Sequence, residues 1–145
     1  MKIVEWGEYT KLLHKLYTDI ALRSFDGIVA IGRGGSIIGA YLASKLGIPT
    51  FYPAFVRHVG RGKEMKIIAY DLGQLNSLKG RLLIVDDWLC EGRAMKFILN
   101  LIPKGASVTT LVMFYRQGSE FKPDIVGEYV KEDEREILFP YDSIG

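Results

Sequence analysis

Cysteine is almost missing from this chain: Cys90 is the only one in 145 residues. One thiol excludes an internal disulfide framework and suits a reducing cytoplasm. A surplus of one charge is missing too. Lys and Arg total 19 against 17 Asp and Glu, a net charge of +2. That balance leaves no basic field, so nucleic acid is not the default partner. No apolar run is long enough to span a membrane, and the N-terminus MKIVEWGEYTKLLHK lacks the apolar stretch of a signal peptide. Repeats and low-complexity tracts are absent. What remains is 48% hydrophobic residues in a chain of one-domain length, enough for a real core.

Trp6, Tyr9, Leu13, Leu16, Tyr17 and Ile20 recur at helical spacing. The pattern predicts an amphipathic helix, with Trp6 and Tyr17 in the core and His14 on the surface. GIVAIG, residues 27–32, reads as a buried strand, and Ser36 is placed to cap a helix IIGAYLASKL that stops at Gly47 and Pro49. Strands are predicted over 50–56, 66–70, 82–85 and 108–114, with a helix over 93–101. Strands that alternate with helices and read as continuous apolar runs imply α/β architecture: a mostly parallel sheet flanked by helices on both faces. Residues 1–118 form this core. Residues 119–145, acid- and proline-rich, are expected as a small C-terminal hood packed on it.

In such sheets ligands bind beyond the carboxyl ends of the strands. The polar stretches 33–36, 86–92 and 115–117 fall there. Within RLLIVDDWLCEGRAM, residues 81–95, an apolar run meets Asp86 and Asp87, then a glycine loop and a helix start. Neighbours in extended chain point to opposite sides. One aspartate can therefore meet ribose hydroxyls while the other holds hydrated Mg²⁺. The loop and helix start add an anion site. Alternatively, Asp87 caps the helix and Asp86 is a solvated strand end. A second loop, Arg33-Gly34-Gly35, also lies between strand and helix, where glycines admit close backbone approach and the arginine offers a forked donor. It is neither GxGxxG nor a P-loop. Two anion loops and an acid pair at one sheet edge suit a sugar phosphorylated at both ends.

At these residues the chain resembles the type I phosphoribosyltransferases, closest to the short xanthine-guanine and hypoxanthine group. The resemblance rests on Trp6 with its helix, GRGG at 32–35, VDDWLCEGRA at 85–94 and FPYD at 139–142, and covers nearly the whole chain. It implies transfer of a 5-phosphoribosyl group from phosphoribosyl pyrophosphate to a nucleobase, a 6-oxopurine favoured, with Mg²⁺ as cofactor and a cytoplasmic homodimer as the working form. Arg33, Gly34 and Gly35 would bind pyrophosphate. Asp86 and Asp87 would bind ribose hydroxyls and Mg²⁺. The amides of Cys90, Glu91, Gly92, Arg93 and Ala94 would hold the 5-phosphate. Arg61 and Lys63 would sit on a loop that closes over the reaction. Arg116 would recognise the purine O6, and Ile137, Leu138 and Phe139 would form the hood.

The phosphate loop departs from the family's usual Thr-Gly-x-Thr or Thr-Gly-x-Ser. Here it reads Glu91-Gly92-Arg93-Ala94. A carboxylate beside phosphate is costly: two unit charges about 4 Å apart repel by roughly 4 kcal/mol at an effective dielectric of about 20. Three arrangements are open: Glu91 turns to solvent while its amide serves the phosphate, Arg93 screens it or binds the phosphate itself, or Glu91 occupies the helix N-terminus and plugs the site. Cys90 stands where purine members often carry an aspartate near the base. Glu136 stands near the place of a stacking aromatic, which leaves Tyr141 or Phe139 to supply the ring. His58 borders the polar loop and is weak evidence of ligand contact. The alternative function is a non-catalytic module that binds a nucleotide or phosphorylated sugar. A receiver domain is disfavoured because the acid pair follows a late strand.

Overall fold

The computed structural model describes residues 1–60 and 64–143. Five strands make one parallel sheet in the order β3-β2-β6-β7-β8. They are β2 (Gly27–Ile31), β3 (Thr50–Ala54), β6 (Arg81–Leu89), β7 (Ser107–Arg116) and β8 (Ile125–Val130). Helix α1 (Trp6–Ile20) precedes β2, α2 (Gly32–Leu46) joins β2 to β3, and α3 (Arg93–Leu101) joins β6 to β7. A short 3₁₀ turn, Gly73–Ser77, which sequence periodicity missed, precedes β6.

Side-chain alternation sorts the core into two layers. Ile28, Ala30, Leu83 and Val85 pack with Tyr9, Leu16 and Ile20 of α1 and with Ile38 and Leu42 of α2. Val29, Ile31, Leu82 and Ile84 pack on the other face with Leu75 and with Met95 and Ile98 of α3. The chain therefore leaves β2 toward one edge of the sheet and β6 toward the other, with crossover helices on opposite faces. The crevice between the carboxyl ends of β2 and β6 is the switch point at which open α/β sheets bind ligands.

Several expectations are corrected. Residues 119–145 are not a hood alone, because β8 completes the main sheet beside β7. The hood proper is smaller: β9 (Ile137–Leu138) pairs in parallel with β1 (Lys2–Ile3), so the N-terminus helps to build it. The predicted strand 50–56 divides into β3 and β4 (Val56–Val59), and β4 pairs antiparallel with β5 (Lys66–Ala69) as a separate hairpin. Trp6 is 54% exposed rather than core, edge-on to Tyr9 with ring centroids 5.6 Å apart. Tyr17 is partly buried and His14 is exposed.

Candidate functional site

Ser36 does not cap α2. The helix begins at Gly32, and the Ser36 hydroxyl donates to the Gly32 carbonyl at 2.7 Å from inside the first turn. The reason is contact. A Cβ on Gly35 would stand 2.6 Å from the Val85 carbonyl oxygen, and one on Gly34 would overlap the Asp87 carboxylate. Only glycine lets the first turn of α2 lie against β6 where the acid pair stands. No side chain caps α2, so its first amides stay available to an anion.

Asp86 and Asp87 lie within β6, not beyond its end. Alternation predicts that they diverge, yet both border one cavity of about 800 Å³. The strand explains this. Leu83 and Val85 face the α1–α2 layer, whereas past the pair it is Trp88 that packs with that layer and Leu89 with the other. Trp88 and Leu89 thus stand on the faces opposite to those strict alternation gives, while the pairing with β7 keeps its register. Asp86 accepts the Asp87 backbone N–H at 2.8 Å, and Asp87 accepts the Tyr141 hydroxyl at 2.6 Å. Tyr141 stacks on Phe139 with ring centroids 5.3 Å apart and lies edge-on to Tyr9. The hood is thereby fastened to the acid pair.

Burial pushes the Asp86 carboxyl well above its ordinary range, and the charge of Asp87 adds to the effect. Burial raises Asp87 as well, while the Tyr141 hydroxyl opposes the rise. Tyr141 is itself raised by burial and by the Asp87 charge. Two carboxylates that resist ionisation side by side are a receptive pair for a divalent cation. Among the described residues no three His, Cys, Asp or Glu side chains gather to cage a metal. Mg²⁺ needs no such cage, because it keeps several waters and takes one or two carboxylates plus substrate oxygens. The residues fit it.

Arg33, Gly34, Ile137, Leu138 and Tyr141 border the same cavity. Gly35 does not: it is the packing contact beneath. A neighbouring cavity of about 440 Å³ is walled by Cys90, Glu91, Gly92, Arg93 and Ala94 and shares Asp86, Trp88 and His58 with the first. Gly92 takes φ +85° to start α3, which also has no side-chain cap. Glu91 therefore does not occupy the helix N-terminus. Its carboxylate forms an ion pair with Arg93 Nη2 at 2.9 Å and accepts a hydrogen bond from Arg135 Nη1 at 3.2 Å. Arg93 pairs with Glu91, with Arg135 as a second arginine that sequence reasoning missed, while Glu91 still borders the cavity.

Two expected contacts are corrected. Phe139 is 5% exposed, packed on Phe114, Tyr9 and Tyr141, and borders neither cavity. Arg116 is 6% exposed and spends its donors on carbonyls: Cys90 at 2.8 Å, Glu132 at 3.2 Å and Gln117 at 3.4 Å. Through Cys90 it braces the loop that leads into α3, and it borders neither of these two cavities. Arg61 and Lys63 lie outside the described residues. Trp88 was not foreseen. It is the large ring that borders both cavities, and its place directly after the acid pair was the available signal.

No family model matches the chain. A xanthine-guanine phosphoribosyltransferase of Idiomarina loihiensis is 28% identical over 147 residues, covering 96% of this chain and 85% of that protein. A purine phosphoribosyltransferase from Pyrococcus horikoshii shares the fold with a TM-score of 0.80 at 21% identity, covering 99% of this chain and 95% of that one. A Neisseria gonorrhoeae protein solved with bound ppGpp gives a TM-score of 0.77 at 19% identity, covering 99% and 90%. No helix is long and apolar enough to cross a membrane among the described residues. In sequence the chain is similar to xanthine-guanine phosphoribosyltransferases, which are enzymes, and it shares its fold with solved purine phosphoribosyltransferases.

Proposed function

We propose that the protein transfers the 5-phosphoribosyl group of phosphoribosyl pyrophosphate to a purine base, a 6-oxopurine favoured, and releases pyrophosphate. One observation carries the reading. The acid pair lies between two uncapped helix N-termini, Arg33-Gly34 of α2 on one side and Gly92-Arg93 of α3 on the other, each bordering its own cavity. A sugar with diphosphate at C1 and phosphate at C5 spans that arrangement, its hydroxyls over the aspartates. Base nitrogen attacks C1 as the bond to pyrophosphate breaks, and the buried carboxylates face the positive charge that develops on the ribose. Asp86 and Asp87 would hold Mg²⁺, which neutralises the departing diphosphate. Trp88 and Tyr141 offer ring surface to the base in place of Phe139. The cytoplasmic homodimer rests on the resemblance, and sedimentation of the purified protein tests the dimer.

A second reading, a nucleotide-binding module without turnover, has Glu91 and Ala94 in its favour, and a neighbour of this fold binds ppGpp. Turnover assays with Mg²⁺, phosphoribosyl pyrophosphate and hypoxanthine, guanine, xanthine and adenine separate the two. Pyrophosphate release with any of them supports catalysis. Folded protein that binds nucleotide in calorimetry but turns over none of the bases overturns it.

A further inference from the structure

Behind the phosphate loop lies a third cavity of about 390 Å³, bordered by neither aspartate of the acid pair. Arg93, Lys96, Arg116 and Arg135 reach it, against the carboxylates of Glu91 and Glu120, an excess of two positive charges. Arg116 is its buried floor. Nε and Nη1 of that guanidinium are taken by carbonyls, while Nη2 has no protein partner among the described hydrogen bonds. Glu120 is a weak occupant. Its side chain is 90% exposed and meets only Lys96, at 3.6 Å. The fixed Arg116 donor, a charge excess of two and a Glu120 side chain free to turn into solvent suit a compact dianion with several acceptor oxygens. We propose that this cavity, which shares Glu91, Arg93 and Arg135 with the second cavity but neither aspartate, binds a phosphate dianion, free or as a monoester, centred on Arg116 and Lys96.

The experiment is a titration of ¹⁵N-labelled protein with inorganic phosphate in one arm and ribose 5-phosphate in the other, followed by amide shifts. Gly118 and Glu120 border only the third cavity, and Gly34 only the first. Saturable shifts at Gly118 and Glu120, with a midpoint different from that of Gly34, are expected. The arm that gives the lower midpoint identifies the source. Lys96→Glu, a change of two charge units at a half-exposed position, is expected to weaken the Gly118 and Glu120 response by about fivefold. It should leave the Gly34 response and basal turnover unchanged, since Lys96 borders neither substrate cavity. No shift at Gly118 and Glu120 in either arm, or an equal response in Lys96→Glu, overturns the proposal. Turnover is read separately, so failure here leaves the phosphoribosyl transfer reading in place.

Discussion

Replacing Glu91 by glutamine keeps the shape of the phosphate loop and deletes one charge. In the native loop that carboxylate lies between Arg93 and Arg135 at 2.9 and 3.2 Å, so the trio carries one net positive charge. The variant carries two. A unit charge and a phosphate dianion about 6 Å apart repel by roughly 1.4 kcal/mol in water and by about 3 kcal/mol at an effective dielectric of about 40. The Glu91 side chain is 45% exposed, so the lower figure governs. The two ion pairs it loses are exposed and contribute about 1 kcal/mol or less each to the fold. Glu91→Gln is therefore expected to bind phosphoribosyl pyrophosphate about tenfold more tightly at low salt, with little loss of stability.

Titration calorimetry at two ionic strengths checks both parts. The gain should shrink as salt rises, because screening acts within about 8 Å at physiological strength. Arg135→Ala should move affinity the opposite way, and the double variant should fall between the singles. Unchanged or weaker binding by folded Glu91→Gln at low salt would refute the reasoning, since the carboxylate would then support the ligand rather than oppose it.

Gly35→Ala places a methyl 2.6 Å from the Val85 carbonyl oxygen and should cost about 1–3 kcal/mol in urea unfolding, with turnover falling as α2 is pushed off the acid pair; an unchanged midpoint would contradict the packing argument. Asp86→Asn should raise the melting temperature at neutral pH while abolishing turnover. The sign follows from the raised pKa values: the folded state holds protons that the unfolded chain releases, so the pair's contribution is full below the ordinary value of 3.8 and is lost as pH rises toward the folded values. Melting scans against pH should show that decline in the native protein and a flatter profile in the variant. Tyr141→Phe keeps the stacked ring but removes the hydroxyl donated to Asp87, at an expected cost of about 1.5–3 kcal/mol in denaturant unfolding.

The sheet was legible because its strands are buried on both faces, and GIVAI, LLIV and VTTLVMF carry that as unbroken apolar runs. Strand β8 was not, because Gly127 interrupts IVGEYV. That glycine is required by proximity: a Cβ there would lie 2.5 Å from the Met113 carbonyl of β7. Ser36 was misread for a related reason. Gly34 and Gly35 are poor helix formers and read as loop, yet contact with β6 holds them in the first turn of α2. Residue type and order sufficed to bring the acid pair and the two glycine-containing stretches to one sheet edge. The contacts of Arg116, Phe139 and Arg135 were not legible, because they depend on how the tail folds back across the sheet.

Taken together, the loop substitutions describe an exchange of one kind of anion recognition for another. Where the family's usual loop offers neutral hydroxyls, this chain has Glu91, Arg93 and Ala94 with Arg135 brought in from the tail. Hydroxyl donors act at contact distance and are indifferent to salt. Guanidinium groups act over a Debye length and are screened by it. The exchange leaves the helix N-terminus of α3 free of any side-chain cap, so under the proposed function its backbone amides would still serve a phosphate while the side-chain contribution becomes electrostatic. It also brings Arg135 of the tail to the loop, so under the proposed function holding a 5-phosphate and seating the hood would become one event. A loop of this design should show a steeper salt dependence of substrate affinity than a Thr-Gly-x-Thr loop. In Glu91→Thr/Arg93→Gly/Ala94→Thr the slope should flatten even if the affinity at low salt falls.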